Sequence, residues 1–126
     1  MENKNNKSER IFPATVANII NNYKIVINRG SDHEITLGQR FLIYDLSTEE
    51  IIDPVSKKPL GYLELVKGTG VVIHVMEKMA IVESDNKKTI TRTKPAPLPF
   101  MRSEEITEEE DLPFDDPEIG DKAKPI

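Results

Sequence analysis

The residues that chemistry most often needs are scarce here. The 126 residues include no cysteine and only two histidines. Without cysteine, neither a disulfide framework nor a thiolate metal site can form. His33 and His74 lie far apart in the chain and outside any nucleophile-elbow context, so no Ser-His-Asp arrangement can be drawn. Gly68-Thr69-Gly70 lacks the lysine and the following helix of a phosphate-binding loop. No apolar run approaches the roughly 18 residues of a membrane span. The opening MENKNNKSER has no apolar stretch of the kind a secretory signal needs. These absences predict a soluble cytoplasmic protein that does not touch the membrane, is not an enzyme and uses no cofactor.

A strongly basic surface is also missing. Residues 1–94 carry 14 Lys+Arg and 12 Asp+Glu, and residues 95–126 carry 3 and 10. A body of net +2 therefore bears a tail of net −7, which together make the −5 of the chain. Binding to nucleic acid relies on clustered phosphate-neutralising side chains, and no such stripe is visible. Protein is the better-fitting partner.

What is present is a succession of short β-forming runs. Residues 1–10 hold too little apolar surface to offset the entropy of ordering and are expected to be disordered. FPATVANII ends at Asn21-Asn22, a dipeptide tolerant of positive φ, and YKIVIN follows at once, which predicts a hairpin. In its second strand Ile25 and Ile27 share one face, while Lys24, Val26 and Asn28 share the other. Gly30 and Gly38 bracket a polar segment in which Ile35 and Leu37 are expected to cap one end of the core. RFLIYD resumes the β-formers. A loop, the pair Ile51-Ile52, a turn with Pro54 at its first central position and a further strand come next. Gly68 and Gly70 mark a bulge or a corner before VVIHVM, where His74 shares a face with Val72 and Met76. MAIVES is the last strand of this body.

No helical period interrupts residues 11–84. Frequent turns between short strands predict an all-β fold, a small antiparallel β-barrel of five to six strands spanning residues 11–94, because closure removes exposed edges. Residues 95–126 form an acidic, proline-rich linker and tail. Pro95–Asp111 has no core of its own, whereas Ile119–Ile126 is expected to return as an edge strand that buries Ile119 and Ala123.

INRGSDHEITLGQRFLIYD followed by IIDPVSKKPLGYLELVKGTGVVIHVMEKMAIVES resembles the small β-barrel domain at the C-terminus of the flagellar assembly protein T family. The shared features are an Ile-Asn-x-Gly turn, a Gly-x-x-Phe strand, an Asp-Pro turn and a Gly-x-Val strand, over about residues 12–84. Glu34 and Lys57 stand where such barrels have glycine. The resemblance implies a free-standing relative of this barrel.

Two segments compete for a site. Asp32, His33 and Glu34 are consecutive, and in an extended strand they would point alternately to opposite sides, so a metal would lack convergent ligands. A turn stabilised by the Asp32 carboxylate is the simpler reading. In the tail, Leu112, Pro113 and Phe114 sit inside acidic flanks, as in a short motif that folds on binding a partner. Both triplets are candidate partner-binding residues, with specificity expected from loops around Gly30–Gly38 and Asp45–Gly61. The function that follows is a non-enzymatic interaction or assembly module. The alternative is a ligand-binding barrel for nucleotide or single-stranded nucleic acid, with Tyr23, Tyr44 and Tyr62 as a stacking platform.

Overall fold

Strand alternation is clearest in Lys24–Ile27, where Ile25 and Ile27 are fully buried and Lys24 and Val26 are not. A computed structural model describes residues 11–126, so the disorder expected of residues 1–10 lies outside the described residues. Its strands are β1 (Ala14–Asn21), β2 (Lys24–Ile27), β3 (Arg40–Ile52), β4 (Pro59–Val75), β5 (Ala80–Ser84), β6 (Lys87–Lys94), β7 (Glu104–Asp111) and β8 (Lys122–Pro125). Six of them close an antiparallel barrel in the order β1-β2-β5-β4-β3-β8, and β6 pairs only with β7.

Each barrel strand sends alternate residues inward: Ala14 and Val16 from β1, Phe41 and Ile43 from β3, Val72 from β4, Ala80 and Val82 from β5, Ala123 from β8. Burying a Val, Ile or Phe side chain in full contributes about 1.5–3 kcal/mol, so stability is concentrated in this interior. Phe12 enters ahead of β1 and tilts against Phe41 with ring centroids 5.8 Å apart. Phe114 fills the interior near the other end of β1, where its N–H donates to the Asn22 carbonyl (2.8 Å).

The phase of β4 differs from the expected one. An irregularity between Val72 and His74 sets His74 opposite Ile81 and leaves it exposed, while Val75 packs on the core. The extra residue Ile73 therefore separates His74 from the face of Val72. Ile35 is buried as a cap should be, but Leu37 is exposed.

The carboxyl-terminal segment departs furthest from expectation. β8 is not an edge strand: Ala123 pairs with Ala14 on one side and Ile43 on the other, so β8 closes the barrel. Of the two residues expected to be buried, Ala123 is and Ile119 is exposed. The turn before β8 is held to β1 by Gly120 N–H to Val16 C=O (2.9 Å) and Val16 N–H to Asp121 C=O (2.7 Å). The buried Asp121 carboxylate accepts from Glu118 N–H (2.8 Å) and lies 3.7 Å from Lys67 Nζ.

Pro95–Asp111 is not a bare linker either. Its acidic part is strand β7, which pairs residue for residue with the basic β6, from Lys87 opposite Asp111 to Lys94 opposite Glu104. Where β5 gives way to this ribbon, Thr69 Oγ1 donates to Asp85 (2.6 Å) and Arg40 Nε donates to its other oxygen (2.8 Å). Partial burial pushes the Asp85 carboxyl up, but the Arg40 and Thr69 bonds and the Arg40 charge outweigh it and hold Asp85 below the ordinary range.

Candidate interaction surface

Asp32, His33 and Glu34 are placed by a 3-10 turn over Ser31–His33 at the mouth of the barrel. Ser31 N–H donates to the Met76 carbonyl (2.8 Å) and Asp32 N–H to that of Glu77 (3.0 Å), so the turn is fastened to the β4–β5 connection. Gly30 makes this approach possible: a Cβ there would collide with the Met76 carbonyl and stand 2.6 Å from Met79 N. His33 Nδ1 accepts the Gly30 N–H (3.1 Å), and Asp32 lies 3.3 Å from Lys78 Nζ. Glu34 ends the turn at φ 64°, and its side chain is exposed. The His33 side chain thus serves the backbone bend and the Asp32 side chain an exposed ion pair, while the Glu34 side chain takes part in neither. Among the described residues no three acidic, histidine or cysteine side chains gather as a metal site would require.

Leu112, Pro113 and Phe114 need correction as a partner-docking motif, because the barrel itself takes them. Phe114 is only 2% exposed. Its seat is cut by two glycines: a Cβ on Gly68 would stand 3.2 Å from the ring and one on Gly70 2.9 Å. Leu112 N–H donates to the Asn86 carbonyl (2.9 Å), and Ser84 Oγ donates to that of Leu112 (2.6 Å). Leu112 is half-buried, and only Pro113 of the three is exposed. The acidic flanks gave the segment the look of a docking motif, but the aromatic ring between them had an apolar site in its own chain.

The three tyrosines are not one platform. Tyr44 is buried and lies beneath Lys124, whose Nζ is 5.0 Å from the ring centroid. Tyr23 belongs to the β1–β2 turn and Tyr62 to the outer part of β4.

A different surface emerges from the region expected to be a loop. Between Asp45 and Gly61 the chain is strand on both sides of a turn at residues 53–58: β3 and β4 outrun the barrel and pair, with two irregularities, from Leu46 opposite Glu64 to Ile52 opposite Pro59. β8 covers β3 only as far as Tyr44, and β5 covers β4 only from Gly70 onward. The outer part of this hairpin, Leu46–Val66, is therefore an arm of two strands.

Local chemistry fixes the tip of the arm. The Asp53 carboxylate accepts from Val55 N–H (2.9 Å) and Ser56 Oγ (3.1 Å), and these bonds hold its pKa below the ordinary carboxylate value. Pro54 follows with its preset φ, and Lys57 closes the turn at φ 63°. Lower down, Ser47 Oγ accepts the Leu63 N–H (2.9 Å), and Glu64 binds Lys124 through both oxygens (2.7 and 2.9 Å).

The β4 half of the arm, residues 59–66, is apolar enough for a buried strand, yet its apolar side chains are open to water. Leu60, Tyr62, Leu63, Leu65 and Val66 are 44–67% exposed, and Ile51, Ile52 and Val55 are exposed as well. Register sorts them onto two faces. Leu63, Leu65 and Ile51, which lies opposite Gly61, share one; Tyr62, Glu64 and Val66 share the other. An apolar cluster of this size on a projecting element is what interaction surfaces look like. No helix among the described residues is long and apolar enough to cross a membrane. The chain matches no protein-family model, no curated protein and no solved structure.

Proposed function

We propose that the chain is a non-enzymatic, cytoplasmic interaction or assembly module, in which a closed barrel holds out a β-hairpin arm as its contact surface. The observation that carries this reading is the exposure of Leu60, Leu63, Leu65 and Val66 on strands that continue from the barrel wall. A ribbon with apolar side chains on both faces gains about 25 cal/mol for each Å² of apolar surface that a protein partner covers. The barrel interior is filled by its own side chains, Phe41 and Phe114 foremost, so the usable surface is outside. The turn motifs shared with the flagellar assembly protein T barrel support the architecture of the module and leave its partner open.

Capture from native cell extract on immobilised full-length chain tests this. Ile51→Ser with Leu65→Ser should lose the co-purifying protein while the thermal unfolding of the barrel is unchanged. Equal capture by the double variant, or no specific capture by the unaltered chain, would overturn the reading. Deleting the tail is an unsuitable control, since it removes Phe114 and β8 from the barrel.

A further inference from the structure

The geometry points to a second copy of this chain as an occupant of the arm: two copies pair antiparallel along the free edge of β4, about a two-fold axis at Leu63. This inference rests on the arm being a contact surface and names what first covers it. A two-stranded ribbon is marginal in water, whereas three or more strands with an apolar face are self-sustaining. Two arms joined edge to edge make four strands.

The two edges of the arm are not equivalent. The β3 edge carries Asp45, Glu49 and Glu50, and its pairing with β4 is irregular between Leu46 and Glu50. Charges and bulges are the devices by which strands resist addition of another strand. The β4 edge between Pro59 and Val66 bears one charge, Glu64, and its own bulge is confined to Leu60 beside Gly61 (φ 112°), so the regular open run is residues 61–66. It stops where the Lys67 carbonyl accepts Asp115 N–H (2.7 Å), so the open run is bounded by the fold itself.

Backbone direction fixes the register. Leu63 N–H turns toward β3 to reach Ser47 Oγ, so by alternation Tyr62 and Glu64 direct their N–H and C=O groups to the open side. Two-fold pairing with Leu63 opposite itself then sets Tyr62 against Glu64 as hydrogen-bonded pairs. It also sets Gly61 against Leu65, while Leu60, the extra residue of the β4 bulge, falls outside the regular register. Apolar residues meet apolar ones, and no like charges stand opposite each other. The same symmetry makes Leu63, Leu65 and Ile51 of both copies one continuous apolar face. A contact made by one short strand from each copy belongs with the small interfaces, so association should be concentration-dependent.

The absence of cysteine makes a direct test possible. Directly opposed antiparallel residues that are not hydrogen-bonded have Cα atoms about 4.5 Å apart, within the roughly 4.4–6.8 Å range that a disulfide spans. Under mild oxidant, full-length Leu63→Cys should form a covalent dimer at least tenfold faster than Val55→Cys at the more exposed tip. By sedimentation or light scattering the unaltered chain should rise from 14.3 kDa toward twice that mass as concentration increases. Leu63→Lys, which sets two ammonium groups against each other on the axis, should stay at the monomer mass with the circular dichroism of the unaltered chain. If that variant fails to fold, the cross-linking rates decide. A monomer at every concentration, a dimer indifferent to Leu63→Lys, or equal cross-linking at positions 63 and 55 would overturn the pairing. Loss of self-association in Leu63→Lys with capture of another protein retained would separate this inference from the function proposed above.

Discussion

At the scale of single residues, inward and outward positions of one strand should differ sharply in cost. Ile27 is fully buried in β2, and Lys24 is half-exposed with its Nζ 3.8 Å from Glu83. Ile27→Ala should cost roughly 2–5 kcal/mol through lost transfer energy and the cavity left behind. Lys24→Ala should cost about 0.5 kcal/mol or less, since exposed ion pairs contribute little. Denaturant titration of the two variants checks this, and equal costs would mean that the strand phase is wrong. Three other residues carry backbone strain: Glu34 at φ 64°, Lys57 at φ 63° and Asp116 at φ 47° occupy the left-handed region, which costs a residue with a Cβ about 1–2 kcal/mol. Glycine removes that cost but adds freedom to the unfolded chain worth about 0.5–1 kcal/mol. Glu34→Gly and Lys57→Gly should therefore each be neutral or stabilising by up to about 1 kcal/mol. A shift of the unfolding midpoint in the destabilising direction would contradict this account of the turns.

Among the elements, the β6–β7 ribbon differs in kind from the barrel. Its cross-strand ion pairs, Lys87 with Glu109 and Asp111 and Arg92 with Glu108, span 3.7–3.9 Å, and all are largely solvent-exposed. Each such pair contributes at most about 1 kcal/mol and weakens as salt shortens the Debye length from about 10 Å at 0.1 M to about 3 Å at 1 M. No apolar layer of its own backs the ribbon: its two isoleucines, Ile90 and Ile106, stand opposite Glu108 and Arg92. Amide exchange in Lys87–Lys94 and Glu104–Asp111 should accordingly be faster than in the barrel strands, and 1 M NaCl should accelerate it severalfold while barrel amides hardly change. Uniform acceleration across both elements would show that the ribbon is bound into the barrel's cooperative unit. The acidic run of residues 104–111 read as a linker because like charges repel within one segment. Its partner, the basic β6, lies at the far side of a proline-rich turn, and only pairing converts the run into a strand.

For the whole molecule, closure depends on the segment that arrives last. Phe114 and Ala123 supply the interior from residues beyond the ribbon, and β8 joins β1 to β3. Phe114→Ala should cost about 3–5 kcal/mol, a large share of the 5–15 kcal/mol that holds a typical domain folded. The loss should be seen as one cooperative shift of the thermal transition rather than local fraying. A loss below about 1 kcal/mol would mean that the barrel closes without this ring.

How much was legible in the sequence follows from the range of each interaction. Ile25 and Ile27, the Asn21-Asn22 turn and the all-β class were readable because alternation and turn chemistry act within a few residues. A bend at Asp32–Glu34 was readable, but the side chain that bonds its backbone is His33 and not the expected Asp32, which pairs with Lys78. Its anchorage to Met76 and Glu77 was not readable. The destination of Phe114 was hidden, since its flanks say only that the segment is acidic and nothing nearby reveals the seat beside Gly68 and Gly70. The arm was hidden too: Glu49 and Glu50 are poor strand formers by themselves, and the strand is carried past them by the pairing of Leu46 with Glu64 and of Glu50 with Tyr62. The sequence by itself determined the apolar side of an unbroken strand such as β2, because period-two alternation is a local property, but not that of β4, whose bulge shifts the phase. Only the tertiary structure decided which strands close the ring and which project beyond it, because strand partners are chosen by contacts between residues distant in the chain.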